Sequence, residues 1–310
     1  MYKRYPAKPR RRPIPFRSAN ADQPPSAPGF WKAYTYYSIP ALQCTIPKIV
    51  LRLSRVVEGV SMQMPELRLE GVSKYFKVER RKQMAVQDID LTIQQGEFVF
   101  LNGSSGAGKS TILRLLGGDI TPDRGAAYLD NINMNRYFGP FRYRLRRTFG
   151  YVWQDTRLIR KRTIYDNIYL AAQSGGLRNE SDAATIKALS LVGMLDAQKN
   201  FPAELSLGQV RRVELARALV CSPPILLIDE LTANLDDDTI WDLMHLFHEL
   251  NQHGTTVVMA THASRYVNIM RRRVITLIDG RLAGDVRNGR YAQTTAKKIT
   301  FQNKKGKGRR

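Results

Sequence analysis

A glycine-rich segment from Gly103 to Thr111, GSSGAGKST, has the residue types and spacing of a phosphate-binding loop. It fits the pattern G-x-x-x-x-G-K-[ST], and it lies between a strand-like and a helix-like run, as that loop requires. Backbone N–H groups and a helix N-terminus would converge there on phosphate oxygens. We expect Lys109 to bridge the β- and γ-phosphates and Ser110 to bind Mg²⁺. The nucleotide-contacting residues expected here are Gly103, Ser104, Ser105, Gly106, Ala107, Gly108, Lys109, Ser110 and Thr111.

A second segment, ILLIDE from Ile225 to Glu230, ends an apolar run with two acidic residues. The carboxyl edge of strands is where open α/β sheets bind ligands, so these acids are expected beside the phosphates. We expect Asp229 to hold Mg²⁺ through water. Glu230 is expected to polarise the attacking water as a general base.

The elements that must position these residues alternate between strand and helix. Apolar runs such as GEFVFLNG, GYVWQ and TTVVMAT read as buried strands, and the first convincing strand is Glu66 to Val72. Helices are expected over Lys109 to Leu116, from Thr163 onwards and through Trp241 to Asn251. Buried strands separated by helices predict an α/β fold with a covered, mostly parallel sheet.

Positive charge is concentrated at the two ends of the 310-residue chain, whose formal net charge is +22. Residues 1–64 carry 11 Lys or Arg against two acids, and residues 287–310 carry nine Lys or Arg and no acid. The central region is close to balanced, which is typical of an ordinary folded domain. No apolar run approaches the roughly 20 residues that cross a bilayer. We therefore predict a domain over 65–286 with basic extensions at 1–64 and 287–310.

The N-terminal extension is open to several interpretations. Its Pro- and Arg-rich first half predicts disorder, and Met62 and Met64 raise the alternative of a mis-assigned start. The run from Ile49 to Val57 places its apolar residues on one helical face, as in a helix lying on a membrane surface. An Arg-rich targeting peptide is the third reading. The C-terminal tail reads as a solvated, disordered polycation, and attraction to anionic lipid or nucleic acid is the alternative.

The central region resembles the ATP-binding-cassette (ABC) ATPases, with every diagnostic motif in family order. That family is a P-loop NTPase fold with an antiparallel β subdomain and a helical signature subdomain, and it works as a dimer. The resemblance implies that Tyr75 stacks on adenine, that Gln154 senses Mg²⁺ and γ-phosphate, and that His262 contacts γ-phosphate. It also implies that a partner copy's nucleotide meets the signature loop, LSLGQ from Leu205, and the loop Ala233 to Asp236. The residues so assigned are Ser206, Gly208, Gln209 and Asp236.

Within this family, FLNGSSGAGKST, RTIYDNI, KNFPAELS and TANLDD resemble the FtsE group. This implies a homodimeric ATPase on the cytoplasmic face of the inner membrane, bound to an FtsX-like permease in bacterial cell division. The permease is expected to dock on the surface from Asp155 to about Ile168. An exporter ATPase for lipoprotein, lipid or drug is the alternative. A nucleic-acid ATPase is disfavoured, because the chain has neither a long insertion between its motifs nor a second cassette.

Two positions depart from the family pattern. Leu207 stands where the signature loop has a glycine, which serves either close backbone approach or a positive φ. Leu231 replaces the proline that follows the catalytic glutamate, so the turn loses a fixed φ. Neither change removes a catalytic group. We therefore expect ATP binding and dimerisation with slow hydrolysis.

Overall fold

The computed structural model describes residues 66–79, 81–136, 145, 147–231 and 235–289. Both basic extensions, apart from a few residues of the second, lie outside this part, as does the expected surface helix from Ile49 to Val57. Their boundaries and roles therefore remain predictions. In the part described, no helix is long and apolar enough to cross a membrane.

Ten strands and six α-helices are described, numbered in chain order. The strands are β1 Leu67–Val78, β2 Arg81–Ile93, β3 Phe98–Asn102, β4 Arg124–Leu129, β5 Ile132–Asn133, β6 Phe149–Val152, β7 Ile225–Asp229, β8 Thr256–Ala260, β9 Arg273–Ile278 and β10 Arg281–Val286. The helices are α1 Lys109–Leu116, α2 Ile164–Gly175, α3 Ser181–Leu191, α4 Leu207–Leu219, α5 Asp237–Gln252 and α6 Ser264–Met270.

The larger sheet has the strand order β10-β9-β3-β8-β7-β6. Its pairs β9–β3, β3–β8, β8–β7 and β7–β6 are parallel, and only β10 runs antiparallel to its neighbour. Every residue of β3, β7 and β8 is buried, as expected of strands covered on both faces. The smaller sheet, β2-β1-β4-β5, is antiparallel throughout.

Helix α1 joins the two sheets, because it contacts strands of both. Its residues Ile112, Leu113, Leu115 and Leu116 are almost fully buried in one apolar core with β1, β2, β3 and β7. Helices α2, α3 and α4 pack on one another, and α4 also contacts β6. The predicted fold, a mostly parallel sheet with an antiparallel β part and a helical part, is confirmed.

The strand ends fall just before the residues singled out for chemistry. Strand β6 ends at Val152, two residues short of the predicted GYVWQ strand, and so Gln154 lies in the following loop. Strand β7 ends at Asp229, which leaves Glu230 beyond the sheet edge. The first strand begins at Leu67 rather than Glu66 and continues to Val78, because it pairs with both β2 and β4.

Candidate active site

The glycine-rich loop connects β3 to α1 and needs glycine at its last position. Gly108 has φ of 100° and precedes the first residue of α1. A β-carbon there would lie 2.7 Å from Val86 Cγ1 and 2.8 Å from the Ala85 carbonyl oxygen. The left-handed φ and the lack of space both exclude a side chain. The loop is thereby held against β2 at the start of the helix.

Lys109 is buried at the centre of the loop, with 4% of its side chain exposed. Its Nζ donates to the carbonyl oxygens of Gly103 at 3.1 Å and Ser104 at 3.0 Å. Nζ also lies 3.6 Å from Glu230 Oε1 and 3.2 Å from His262 Nε2. A buried ammonium group requires such partners. The residues that follow β3, β7 and β8 therefore all contact the Lys109 ammonium group.

Glu230 has a left-handed backbone, with φ of 49°, which is uncommon for a residue with a side chain. Its N–H donates to the Ala260 carbonyl oxygen at 3.0 Å, so β8 holds it in this conformation. Gln154 Nε2 donates to Glu230 Oε2 at 3.0 Å, and His262 Nε2 lies 3.0 Å from Oε1. The carboxylate is therefore in contact with all three other residues predicted to be catalytic. Leu231, next in the chain, is fully buried.

His262 can take either tautomer in this arrangement. With its proton on Nδ1, Nε2 accepts from Lys109; with its proton on Nε2, it donates to Glu230. The imidazole thus lies within hydrogen-bond distance of both Lys109 and Glu230. It can change from one partner to the other by changing tautomer, without moving far.

Asp229 and Ser110 form the second pair of the site. Ser110 Oγ donates to Asp229 Oδ1 at 3.0 Å, and Asp229 is only 5% exposed. Burial raises the pKa of the Asp229 carboxyl above its ordinary value of 3.8. The charge of Glu230 adds to the rise, while the Ser110 hydroxyl and Lys109 oppose it. The site therefore holds this carboxylate at an energetic disadvantage.

A cavity of about 450 Å³ opens above these groups. It is bounded by the glycine-rich loop, by β1 and β2 through Phe76 and Gln83 to Ala85, and by Gln154 and Glu230. Phe76 is the aromatic residue that lines this cavity. Tyr75, which was predicted to stack on adenine, is not part of the lining.

The signature loop caps a helix. Ser206 Oγ accepts from Gln209 N–H at 3.3 Å, and Gln209 Oε1 accepts from Ser206 N–H at 2.9 Å, which makes a capping box at the start of α4. Leu207 is the first residue of α4 and has no positive φ, so that reason for a glycine does not apply here. Its side chain is 41% exposed. None of these residues lines the cavity.

Asp236 has the same capping role for α5. It accepts from Thr239 N–H at 2.9 Å and from the Thr239 hydroxyl at 2.9 Å. These bonds lower the pKa of the Asp236 carboxyl, the backbone bond contributing most. Residues 232–234, part of the predicted loop before it, lie outside the part described.

A buried ion pair on α4 was not anticipated from the sequence. Arg211 Nη1 lies 2.7 Å from Glu214 Oε2, and both side chains are buried. Arg211 also donates to the carbonyl oxygens of Trp153 at 3.1 Å and Gln154 at 2.6 Å. The other carboxylate oxygen of Glu214, Oε1, accepts a hydrogen bond from Arg157 N–H at 3.1 Å. The sequence signal was weak, because Arg211 and Glu214 are two of four charged residues in this helix. The pair ties the loop of Gln154 to the signature helix.

The chain is similar to known proteins both in sequence and in fold. The ABC transporter family model matches residues 86–233. The cell division ATP-binding protein FtsE of Mycobacterium tuberculosis is 42% identical over 72% of the chain and 96% of that protein. FtsE of Escherichia coli K12 is 40% identical over 71% of the chain and 98% of that protein. A bacterial ABC transporter cassette solved as a dimer superposes with a TM-score of 0.67 at 32% identity, covering 72% of the chain and 99% of that structure.

The raised pKa of Asp229 predicts how stability depends on pH. A carboxyl whose pKa rises on folding adds stability that is complete below 3.8 and is lost as pH rises through the folded value. We expect Asp229→Asn to raise the midpoint of thermal unfolding at pH 7 in metal-free buffer, with the gap closing towards pH 3. Asp236→Asn is the control of opposite sign, because that pKa is lowered. An Asp229→Asn protein less stable than the native chain at pH 7 would contradict this.

Proposed function

The chain belongs to the ABC transporter family and, within it, to the FtsE group of cell-division ATP-binding proteins; on that premise we propose how it works. It is the ATP-hydrolysing subunit of an FtsE–FtsX-like membrane complex, and it passes ATP-driven dimer closure to a permease-like partner in bacterial cell division. The observation that carries the ATPase part is the contact of Glu230 with Lys109, Gln154 and His262 at the edge of the parallel sheet.

ATP binds in the cavity above the glycine-rich loop. The N–H groups of the loop and the N-terminus of α1 face its phosphates, and Lys109 exchanges Gly103, Ser104 and Glu230 for phosphate oxygens. Phe76 takes the adenine-stacking role expected of Tyr75, because it is the aromatic residue on the cavity wall.

The residues around Ser110 fit Mg²⁺. A hydroxyl and a carboxylate 3.0 Å apart, with the Gln154 amide oxygen on the same cavity, are the hard oxygen ligands that Mg²⁺ prefers. The bound ion would neutralise phosphate charge during transfer. It would also compensate the buried charge of Asp229, the acid that the apo site disfavours.

Glu230 acts on the attacking water. Once Lys109 has turned to phosphate, the Glu230 carboxylate accepts the proton of that water as a general base. His262 contacts the γ-phosphate, and Gln154 moves from Glu230 towards the water and the metal. The left-handed backbone of Glu230 keeps its carboxylate at the sheet edge for this step.

A second copy of the chain completes the site. Ser206, Gly208, Gln209 and Asp236 do not line the chain's own cavity, which supports their contacting nucleotide held by a partner copy. The N-terminus of α4 would add a partial positive charge directed at that γ-phosphate. Leu207 stands on the same surface, and its bulk is the reason we expect slow hydrolysis.

The permease docks on the loop from Asp155 to about Ile168, at the cytoplasmic face of the inner membrane. Buried Asn167 fixes this loop: its Oδ1 accepts from Ile159 N–H at 2.6 Å and its Nδ2 donates to the Thr163 carbonyl oxygen at 2.8 Å. A rigid loop beside Gln154 suits a receptor for mechanical coupling. We propose that the basic extensions add affinity for anionic lipid. A nucleic-acid partner is disfavoured, because the chain has neither a long insertion between its motifs nor a second cassette.

The assignment of Phe76 predicts a difference between two neighbouring aromatics. We expect Phe76→Ala to raise the Kd for ATP about tenfold, ~1.4 kcal/mol, because one base–aromatic stack is lost. Tyr75→Ala, the matched control, should change it little. Titration with a fluorescent ATP analogue measures both; a larger effect for Tyr75→Ala would restore the original assignment.

Turnover assays test the catalytic roles and the effect of Leu207. Glu230→Gln should retain ATP binding but hydrolyse at least ~100-fold more slowly, as expected for loss of a general base. Leu207→Gly should hydrolyse about tenfold faster than the native chain, a barrier change of ~1.4 kcal/mol. Equal and rapid turnover of native chain and Leu207→Gly would refute the slow-enzyme prediction.

Affinity capture from detergent-solubilised membranes tests the cellular role. We expect the tagged native chain to bring down a single permease-like protein of the FtsX kind. An exporter permease in its place would support the alternative function. Capture of no membrane protein at all would exclude both. The mass of the captured chain also tests whether residues 1–64 are present.

A further inference from the structure

A second cavity, of about 460 Å³, lies at the β6 edge of the larger sheet, and we call it the arginine pocket. Three arginines line it, Arg147, Arg157 and Arg217, and no acidic residue does. It shares no lining residue with the nucleotide cavity. It is therefore a separate site with a strongly positive interior.

The arginines are held in place by the fold. The Arg157 guanidinium lies 4.0 Å from the centroid of the Trp153 ring, which in turn stacks on Tyr151 at 4.5 Å with planes 2° apart. Arg217 donates from Nη1 to the Arg157 carbonyl oxygen. Arg147 Nη2 lies 3.4 Å from the Ser174 carbonyl oxygen at the end of α2. Pre-positioned guanidinium groups lose little entropy when they bind an anion.

The nearby acid does not neutralise this charge. Glu214 has both oxygens engaged, one by Arg211 and one by the N–H of Arg157. Burial lowers the pKa of Arg217, and the charge of Arg157 lowers it further, although Glu214 opposes this. The pocket thus concentrates positive charge beside a half-buried arginine, which favours an anionic occupant.

The walls indicate the chemistry of that occupant. Tyr151 and Trp153 form an aromatic surface, and small or apolar residues, Ala171, Ala218 and Pro223 among them, complete the lining. An aliphatic segment bearing one carboxylate matches both features, since a guanidinium binds carboxylate through paired hydrogen bonds. The chain's own extensions do not match, because residues 1–64 contain only two acids and residues 287–310 none.

The position of the pocket points to the membrane partner. Trp153 is part of its wall and directly precedes Gln154, whose amide contacts Glu230. The Arg211 guanidinium holds the carbonyls of both residues. An occupant of the pocket is therefore one residue from the active-site loop, where a coupled partner must bind.

We propose that the arginine pocket receives an acidic side chain of the membrane-embedded partner, anchored by Arg157 and Arg217, with its apolar neighbours on Tyr151 and Trp153. This inference rests on the proposed function and deepens it. The proposed function specifies a permease-like partner, and this inference specifies the chemistry of the contact with that partner.

The test uses the purified full-length chain and its captured permease in detergent. Arg157→Glu should raise the Kd of the complex at least ~30-fold, the ~2 kcal/mol lower end for breaking a buried charge pair. Arg178→Glu, a control at an exposed arginine that lies outside both the docking loop and the pocket lining, should change it little. Arg157→Gln, which adds no repulsion, should show a smaller loss. Unchanged thermal unfolding and ATP binding would show that each variant is folded.

Reciprocal charge reversal decides the contact. One Asp or Glu on the cytoplasmic surface of the permease, changed to Arg, should restore binding of Arg157→Glu. Equal binding by native chain and Arg157→Glu, or no restoring reversal, would overturn the inference while leaving the function intact. Loss of binding to vesicles containing anionic lipid by Arg157→Glu, but not by Arg178→Glu, would overturn it in favour of a lipid headgroup. Failure of the native chain to bind any permease would instead refute the function.

Discussion

The meeting of Glu230 with Lys109, Gln154 and His262 is the constraint on which the rest of the structure depends. These residues come from positions up to 153 apart in sequence, yet each lies just beyond the carboxyl end of a strand or in the loop after one. Parallel strands deliver such ends to one edge of a sheet. Because β3, β7 and β8 are fully buried, the backbone that carries these groups is fixed at that edge, and only side chains need to change partners there.

The same arrangement disfavours the charged form of one carboxyl group. Asp229 is buried, close to Glu230, and its carboxyl pKa is raised. Lys109 and the Ser110 hydroxyl offset this only in part. A site of this kind favours the arrival of positive charge. The buried carboxylate that lowers the stability of the empty cassette would therefore also strengthen the binding of a cation.

Local patterns in the sequence predicted features that depend on residues close together in the chain. The glycine-rich loop and the paired acids after a buried strand act through a spacing of a few residues. The capping of α4 by Ser206 and of α5 by Asp236 is also local, but it was not predicted. The choice between Tyr75 and Phe76 depends instead on which face of β1 meets the cavity, and the register of β1 shifts near Lys74. The contacts of the Arg211–Glu214 pair with the Gln154 loop, and the arginine pocket, bring together separate segments of the chain, so no single segment predicts them. The left-handed backbone of Glu230 likewise depends on β8.

Helix α4 gives these separate sites a common mechanical element. Its 13 residues make a rod of about 20 Å. Ser206 stands at its N-terminus, the buried Arg211 at its middle and Arg217 in its last turn. Displacement of one end of a stiff rod is felt along its whole length. Under the proposed closure against a second copy, a displacement of α4 would therefore move the Gln154 loop and the arginine pocket together, because the same helix contacts both.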